Sequence, residues 1–209
     1  MKTLIAKNWV IGSTREVLNQ IHEQDVNIAI YTREVSFLSR DVEQLIHHNI
    51  ELNTSGAKCD ILTLLKKEFE SYPALIQDVE SLISLFEEVS QAQSFRLLLA
   101  TINTNMCRRF HTDVIDLRLL CTYYGPGTLW LKEENVNRTA LETCKDNECI
   151  VLNPDEIQQV ATGAVVILKG SIYPHEGTKA IVHRSPTIEE SGERRLLLRI
   201  DTNEFLNFM

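Results

Sequence analysis

His111-Thr-Asp113 is a pair whose residue types and spacing suggest chemistry. It lies in Cys107-Arg-Arg-Phe-His-Thr-Asp-Val114, which reads as a strand over 109–114. Alternate residues of a strand share a face, so an imidazole and a carboxylate two apart converge there. A third ligand of matching kind is His183, in Ala180-Ile-Val-His-Arg-Ser-Pro186, within another strand-like run. Two imidazoles and one carboxylate on one face of an octahedral ion leave positions open for substrate and oxygen, the coordination pattern of non-haem Fe(II) sites. The pair alone is weak support, because an imidazole and a carboxylate in a strand commonly just hydrogen-bond. The ordered triad carries more.

The elements that must position these residues fall into two halves. Ser13-Thr-Arg-Glu16 has the spacing of a capping box and predicts a helix to about Gln24. A strand follows over 26–31, then helices over 36–48, 61–69 and from Pro73, which suits a first helical position. The first 92 residues are thus expected to be mainly helical. Strands are expected over 95–102, 109–114, 117–124, 128–131, 164–169, 178–183 and 195–201. Turns separate them at Gly125-Pro-Gly127, Asn153-Pro154, Gly170, His175-Glu-Gly177 and Ser191-Gly192. A short cap is expected over 201–205. No internal repeat or low-complexity linker divides the chain. The expectation is one α+β domain over 1–209, with a helical layer (1–92) packed on a sandwich or barrel core (93–209).

Composition narrows the function classes. The formal charge is −8, and dense basic clusters are confined to Lys66-Lys67, Arg108-Arg109 and Arg194-Arg195. That argues against nucleic-acid binding. No apolar run is long enough to cross a bilayer, and the N-terminal stretch is too broken for a signal peptide. Five cysteines, an odd and scattered set, fit reduced thiols in the cytoplasm. Cys144 and Cys149 lack a second pair at zinc-knuckle spacing. Cys107 shares strand parity with His111, but six residues separate it from Asp113, too far unless the chain bends. Exposed sheet edges leave room for an oligomer.

The order of motifs in the second half resembles the jelly-roll oxygenases that use Fe(II) and 2-oxoglutarate, particularly the prolyl-hydroxylase-like branch. In those proteins an H-x-D strand precedes a strand with tyrosine and a glycine turn ending in threonine. A distal histidine then precedes a strand whose cation binds the co-substrate. The resemblance implies a double-stranded β-helix, cupin-like in form. It makes His111, Asp113 and His183 both metal ligands and catalytic residues. Tyr123 or Tyr124, Thr128 and an arginine would line the co-substrate site. Arg194 and Arg195 are both candidates for that arginine. They point to opposite faces of a strand; spacing favours Arg194, and a one-residue shift selects Arg195. Phe110-His-Thr-Asp113, Arg118-Leu-Leu, Tyr124-Gly-Pro-Gly with Thr128 and Trp130, Asn137-Arg138, Leu168-Lys-Gly170 and His183-Arg-Ser-Pro186 also resemble a bacterial family called domain of unknown function 1826. That resemblance implies no reaction but brings zinc into view as an alternative metal.

The expected function is a cytoplasmic Fe(II)/2-oxoglutarate-dependent dioxygenase acting on an unidentified small molecule or peptide. The alternative is a cupin-like, zinc-linked metal binder that oxidises nothing. Tyr123, Tyr124 and Trp130 could equally pack a sheet. Arg184, on the opposite strand face to His183, is expected to pair with Asp116 or Asp201. Lys169 is expected to be solvated at a strand end.

Overall fold

Two apolar runs, Phe95-Arg-Leu-Leu-Leu-Ala-Thr-Ile102 and Arg195-Leu-Leu-Leu-Arg-Ile200, become neighbours near the centre of one sheet. In the computed structural model, which describes residues 7–143, 146–174 and 177–202, they form β4 (Ser94–Ile102) and β10 (Arg195–Thr202). The other strands are β1 (Trp9–Gly12), β2 (Ile28–Tyr31), β3 (Glu51–Ala57), β5 (Leu117–Tyr124), β6 (Leu129–Trp130), β7 (Gln158–Gln159), β8 (Val165–Lys169) and β9 (His183–Arg184). Seven make a mixed sheet in the order β1-β2-β8-β5-β10-β4-β3, and three make a small sheet in the order β7-β6-β9. The α-helices are α1 (Ser39–Leu45), α2 (Lys58–Glu68), α3 (Pro73–Ser90), α4 (Arg138–Thr143) and α5 (Asn147–Ile150). None of the described helices is long and apolar enough to cross a membrane.

Parity along the strands sorts the two faces of the large sheet. Leu196, Leu198 and Ile200 of β10 join Phe95, Leu97 and Leu99 of β4 in a core that also holds Leu75, Leu82 and Phe86 of α3. The intervening residue Leu197 packs on the other face with Leu120, Val166, Trp130 and Ile181, between the large sheet and the small one. Each central strand therefore gives one row of side chains to the helix side and the other to the inter-sheet side.

Several local expectations give way to tertiary packing. The first helix is a 3-10 helix, Arg15–His22, whose N-cap Thr14 makes no side-chain cap bond. Leu18 and Ile21, three apart and both fully buried, fit the three-residue turn better than a 3.6-residue one. The first 92 residues supply three strands as well as helices. One is β3, Glu-Leu-Asn-Thr-Ser-Gly-Ala, whose polar sequence gave no strand signal because it pairs only with β4 at the sheet edge. The stretch 109–114 is not a strand: it makes a single bridge, between His111 and His183. The expected strand over 178–183 shortens to β9. Short helices α4 and α5 occupy a region left unassigned. Cys144, His175 and the end of the expected cap at 201–205 lie outside the described residues.

Candidate metal centre

The bridge between His111 and His183 is where backbone geometry assembles a site. Each residue donates its amide to the other's carbonyl at 3.0 Å, and the two rings lie side by side, 4.8 Å between centroids. Two residues on from His111, Asp113 turns back toward both rings. Its Oδ1 is 3.5 Å from His111 Nε2 and its Oδ2 is 3.1 Å from His183 Nε2. Ligand atoms of all three residues lie within 4.8 Å of one another. The convergence expected from strand alternation thus comes from a lone antiparallel bridge and a bend.

The donor set fits a metal ion. His111 Nδ1 lies 2.8 Å from the carbonyl of Arg109, and His183 Nδ1 lies 3.5 Å from that of Ile181. A carbonyl only accepts, so the tautomer with the proton on Nδ1 satisfies it and leaves Nε2, the nitrogen beside Asp113, as the ring's ligating atom; without a metal, a proton on Nε2 would instead be donated to Asp113. In that tautomer the three groups offer one ligand atom each toward a common point, an arrangement that can hold a cation. Carbonyls on the far ring nitrogens are also what orients metal-binding histidines. The hydrogen bond with Asp113 raises the His111 pKa, against the opposing effect of burial. Burial works against the Asp113 charge, but His111, His183 and Arg118 outweigh it and hold this carboxyl far below its usual range.

Arg118, on β5, is a member of the site that strand parity alone did not single out. Its Nη1 donates to Asp113 Oδ2, while Nε and Nη2 clasp Asp201 of the neighbouring β10 at 2.5 and 3.0 Å. Arg118 and Asp201 are direct cross-strand partners, so the sheet itself fixes the guanidinium that holds Asp113. Placing 118 on the row of 120 and 122 would have pointed to it.

The triad opens on a narrow cleft of about 50 Å³ whose walls include His111, His183, Arg118, Thr128, Arg195 and Leu120. Arg195 is 1% exposed yet has no ion-pair partner among the described residues. Its Nη2 donates to Thr122 Oγ1 at 3.1 Å, and its Nε is without a hydrogen-bond partner. Burial, with no acidic group to offset it, pulls its pKa down to about 10. A buried cation left this way is suited to receive an anion.

Three sequence candidates, Arg194, Tyr124 and Tyr123, do not enter the cleft. Arg194 donates to the carbonyl of Ile46 instead, because 195, 197 and 199 are the positions of β10 that face inward. Tyr124 is 43% exposed beside Arg194: a register shift opposite Leu196 and Leu197 removes it from the inward row of Arg118, Leu120 and Thr122. Tyr123 turns to the helix side and donates to Asp78. Arg184 pairs with neither Asp116 nor Asp201; it lies over the Phe110 ring and donates to Ser185 O. Lys169 is buried rather than solvated and donates to Glu23 O at 2.7 Å. Cys107, at φ 39°, is carried by a bend to the cleft wall, outside the ligand group.

Solved structures resemble this chain at low sequence identity. The dioxygenase for auxin oxidation 1 of Arabidopsis thaliana, solved as a complex with 2-oxoglutarate, is similar at 7% identity and a TM-score of 0.55, over 93% of this chain and 91% of that one. A Pseudomonas putida prolyl-4-hydroxylase has 9% identity and a TM-score of 0.46, over 90% and 96% of the two chains. The Fe(II)/α-ketoglutarate-dependent dioxygenase TqaL has 12% identity and a TM-score of 0.45, over 80% and 74%. The first of these shows a mixed α/β fold in common. No curated protein matches the sequence. The chain belongs to the family described as "Protein of unknown function (DUF1826)", whose model matches residues 12–201.

Proposed function

We propose that this chain is a cytoplasmic Fe(II)- and 2-oxoglutarate-dependent oxygenase, its two sheets forming a double-stranded β-helix beneath an N-terminal helical layer. The observation that carries the reading is one cleft holding both a His-Asp-His ligand set and a buried arginine with no counter-ion. His111, Asp113 and His183 would hold the iron. Bound there, Fe(II) supplies the redox chemistry that couples oxidation of 2-oxoglutarate by O2 to oxidation of a substrate.

The chain's own residues do the rest. The carbonyls of Arg109 and Ile181 keep both imidazoles in the ligating tautomer. Arg118 holds one oxygen of Asp113 and restrains how that carboxylate turns. Arg195 would receive the outer carboxylate of 2-oxoglutarate, oriented by Thr122, with the Thr128 hydroxyl on the same wall; the cleft of about 50 Å³ is smaller than this co-substrate, so its walls must part to admit it. Leu98, Leu120 and Leu197 line the cleft with apolar surface that excludes water.

The test is anaerobic addition of Fe(II) and then 2-oxoglutarate to metal-free protein, followed by visible absorption. A weak charge-transfer band that needs both additions and is lost in His183→Ala supports the reading. Tight metal binding with no response to 2-oxoglutarate overturns it in favour of a zinc-linked metal binder. No metal binding overturns both.

A further inference from the structure

The inward face of β10 carries a second arginine whose charge the co-substrate does not use. Arg199 follows Arg195 by four residues on the same row and lies in the same cleft, directly opposite Leu120 of β5 and Leu98 of β4. Its carboxylate neighbour is Asp201, 3.4 Å from Nε, but Arg118 already binds both oxygens of Asp201 at 2.5 and 3.0 Å. Arg199 Nε is buried without a hydrogen-bond partner. One carboxylate is shared by two guanidinium groups, and the closer claim belongs to Arg118.

The charge inventory then points to a ligand. Arg118, Arg195 and Arg199 face the cleft, and the carboxylates paired with them among the described residues are Asp113 and Asp201. These sum to one surplus positive charge. A metal dication on the triad raises the surplus to three, and the two carboxylates of 2-oxoglutarate reduce it to one. Arg199, whose side chain is 26% exposed, is the most accessible of the three arginines to a molecule entering from solvent. Leu98 and Leu120 flank Arg199 on the neighbouring strands, and the lining of the cleft, which also includes Leu197 and Met106, contains no acidic group.

We propose that the oxidised substrate is a small monoanion, a carboxylate on an apolar body, whose charged end is bound by Arg199. This rests on the oxygenase reading above and adds the substrate class to it. A guanidinium–carboxylate contact with a side chain fixed on a strand favours a charged substrate over its neutral isostere by roughly ten- to a hundredfold in affinity.

The experiment is calorimetric titration of Zn(II)-loaded, full-length protein, first with 2-oxoglutarate and then, at saturation, with acetate and isovalerate against acetamide and isovaleramide. Both carboxylates are expected to bind jointly with 2-oxoglutarate and more tightly than their amides. Isovalerate is expected to exceed acetate. In Arg199→Gln the preference for carboxylate over amide disappears while 2-oxoglutarate still binds; in Arg199→Lys part of it returns. Retained 2-oxoglutarate binding in the glutamine variant shows that it is folded. The proposal is overturned if the amides bind as well as the acids, if neither acid binds to the 2-oxoglutarate complex, or if the acids merely compete with 2-oxoglutarate. It is equally overturned if Arg199→Gln keeps the preference. Failure of 2-oxoglutarate itself to bind the wild type is a different result and sinks the oxygenase reading.

Discussion

Two buried arginine–carboxylate clusters lie on opposite faces of β5, and they are built to opposite rules. On the helix side, Arg33 clasps Asp78 with Nη1 and Nη2 at 2.5 and 2.8 Å, while its Nε donates to Gly163 O. Tyr123 Oη adds a donor to the same carboxylate at 2.7 Å, and Arg33 also reaches Cys121 Sγ. Burial pushes the Cys121 thiol up to about 12, which keeps it protonated and unreactive. Each group in that cluster has found its partner within the chain. On the inter-sheet side, Arg195 has no counter-ion among the described residues, Arg199 shares one, and the Nε2 atoms of two imidazoles face a carboxylate. A closed network locks α3 to the sheet; an open one is poised for ligands. Burial of charge is common to both, so burial alone does not mark a site. Incomplete pairing does.

The sharpest break in this contrast is Asp78→Ala. It strands a buried guanidinium that no ligand can rescue, and should cost about 3–5 kcal/mol in denaturant unfolding, with or without metal. Arg118→Met should cost about 3 kcal/mol in metal-free protein, since it removes the guanidinium on Asp113 and leaves Asp201 with Arg199 alone. Here metal should restore part of the loss, because a dication compensates Asp113. Unfolding of this variant with and without Zn(II) measures the difference. An equal penalty in both states would make Arg118 a purely structural residue like Arg33.

Arg195→Met should act in the other direction. Removing a buried cation that has no partner is expected to leave stability unchanged or raise it by about 1 kcal/mol, while abolishing 2-oxoglutarate binding. A pH dependence is expected at Lys169, whose burial, partly offset by Asp25 and Glu23, lowers its pKa to about 8. Below pH 8 the folded chain bears the full cost of the buried charge. Between about 8 and the ordinary 10.5 the folded chain sheds a proton that the unfolded chain keeps, so this contribution to stability improves as pH rises. Lys169→Met should therefore gain on the wild type at pH 7 and lose that advantage toward pH 10, as read from thermal unfolding at both pH values.

The contrast between the two clusters was only partly legible in the sequence. Near-continuous apolar runs in 95–102 and 195–201 pointed to the central strands, since those residues are buried on both faces. His111, Asp113 and His183 were nameable because ligand chemistry restricts residue types. The backbone that unites them was not, because one bridge and a bend at Cys107 leave no periodic trace. Choosing between Arg194 and Arg195 needed the register of β10 against β5, including its irregularity beside Tyr124. Gly125 at that turn has φ 79°, and a Cβ there would meet Arg194 O at 2.1 Å, so the tight approach requires glycine. Arg33 and Asp78 are 45 residues apart and sit on different elements, so no local pattern pairs them. Pairing across a sheet is tertiary information, and both arginine clusters depend on it.

The central measurement is calorimetric titration of 2-oxoglutarate into wild-type and Arg195→Met protein, each with and without Mn(II). Binding of one equivalent that requires the metal, and is lost in the variant while its metal binding persists, is the expected result. Metal-independent binding, or binding that survives Arg195→Met unchanged, would contradict the assignment of the open cluster as the site for metal and co-substrate.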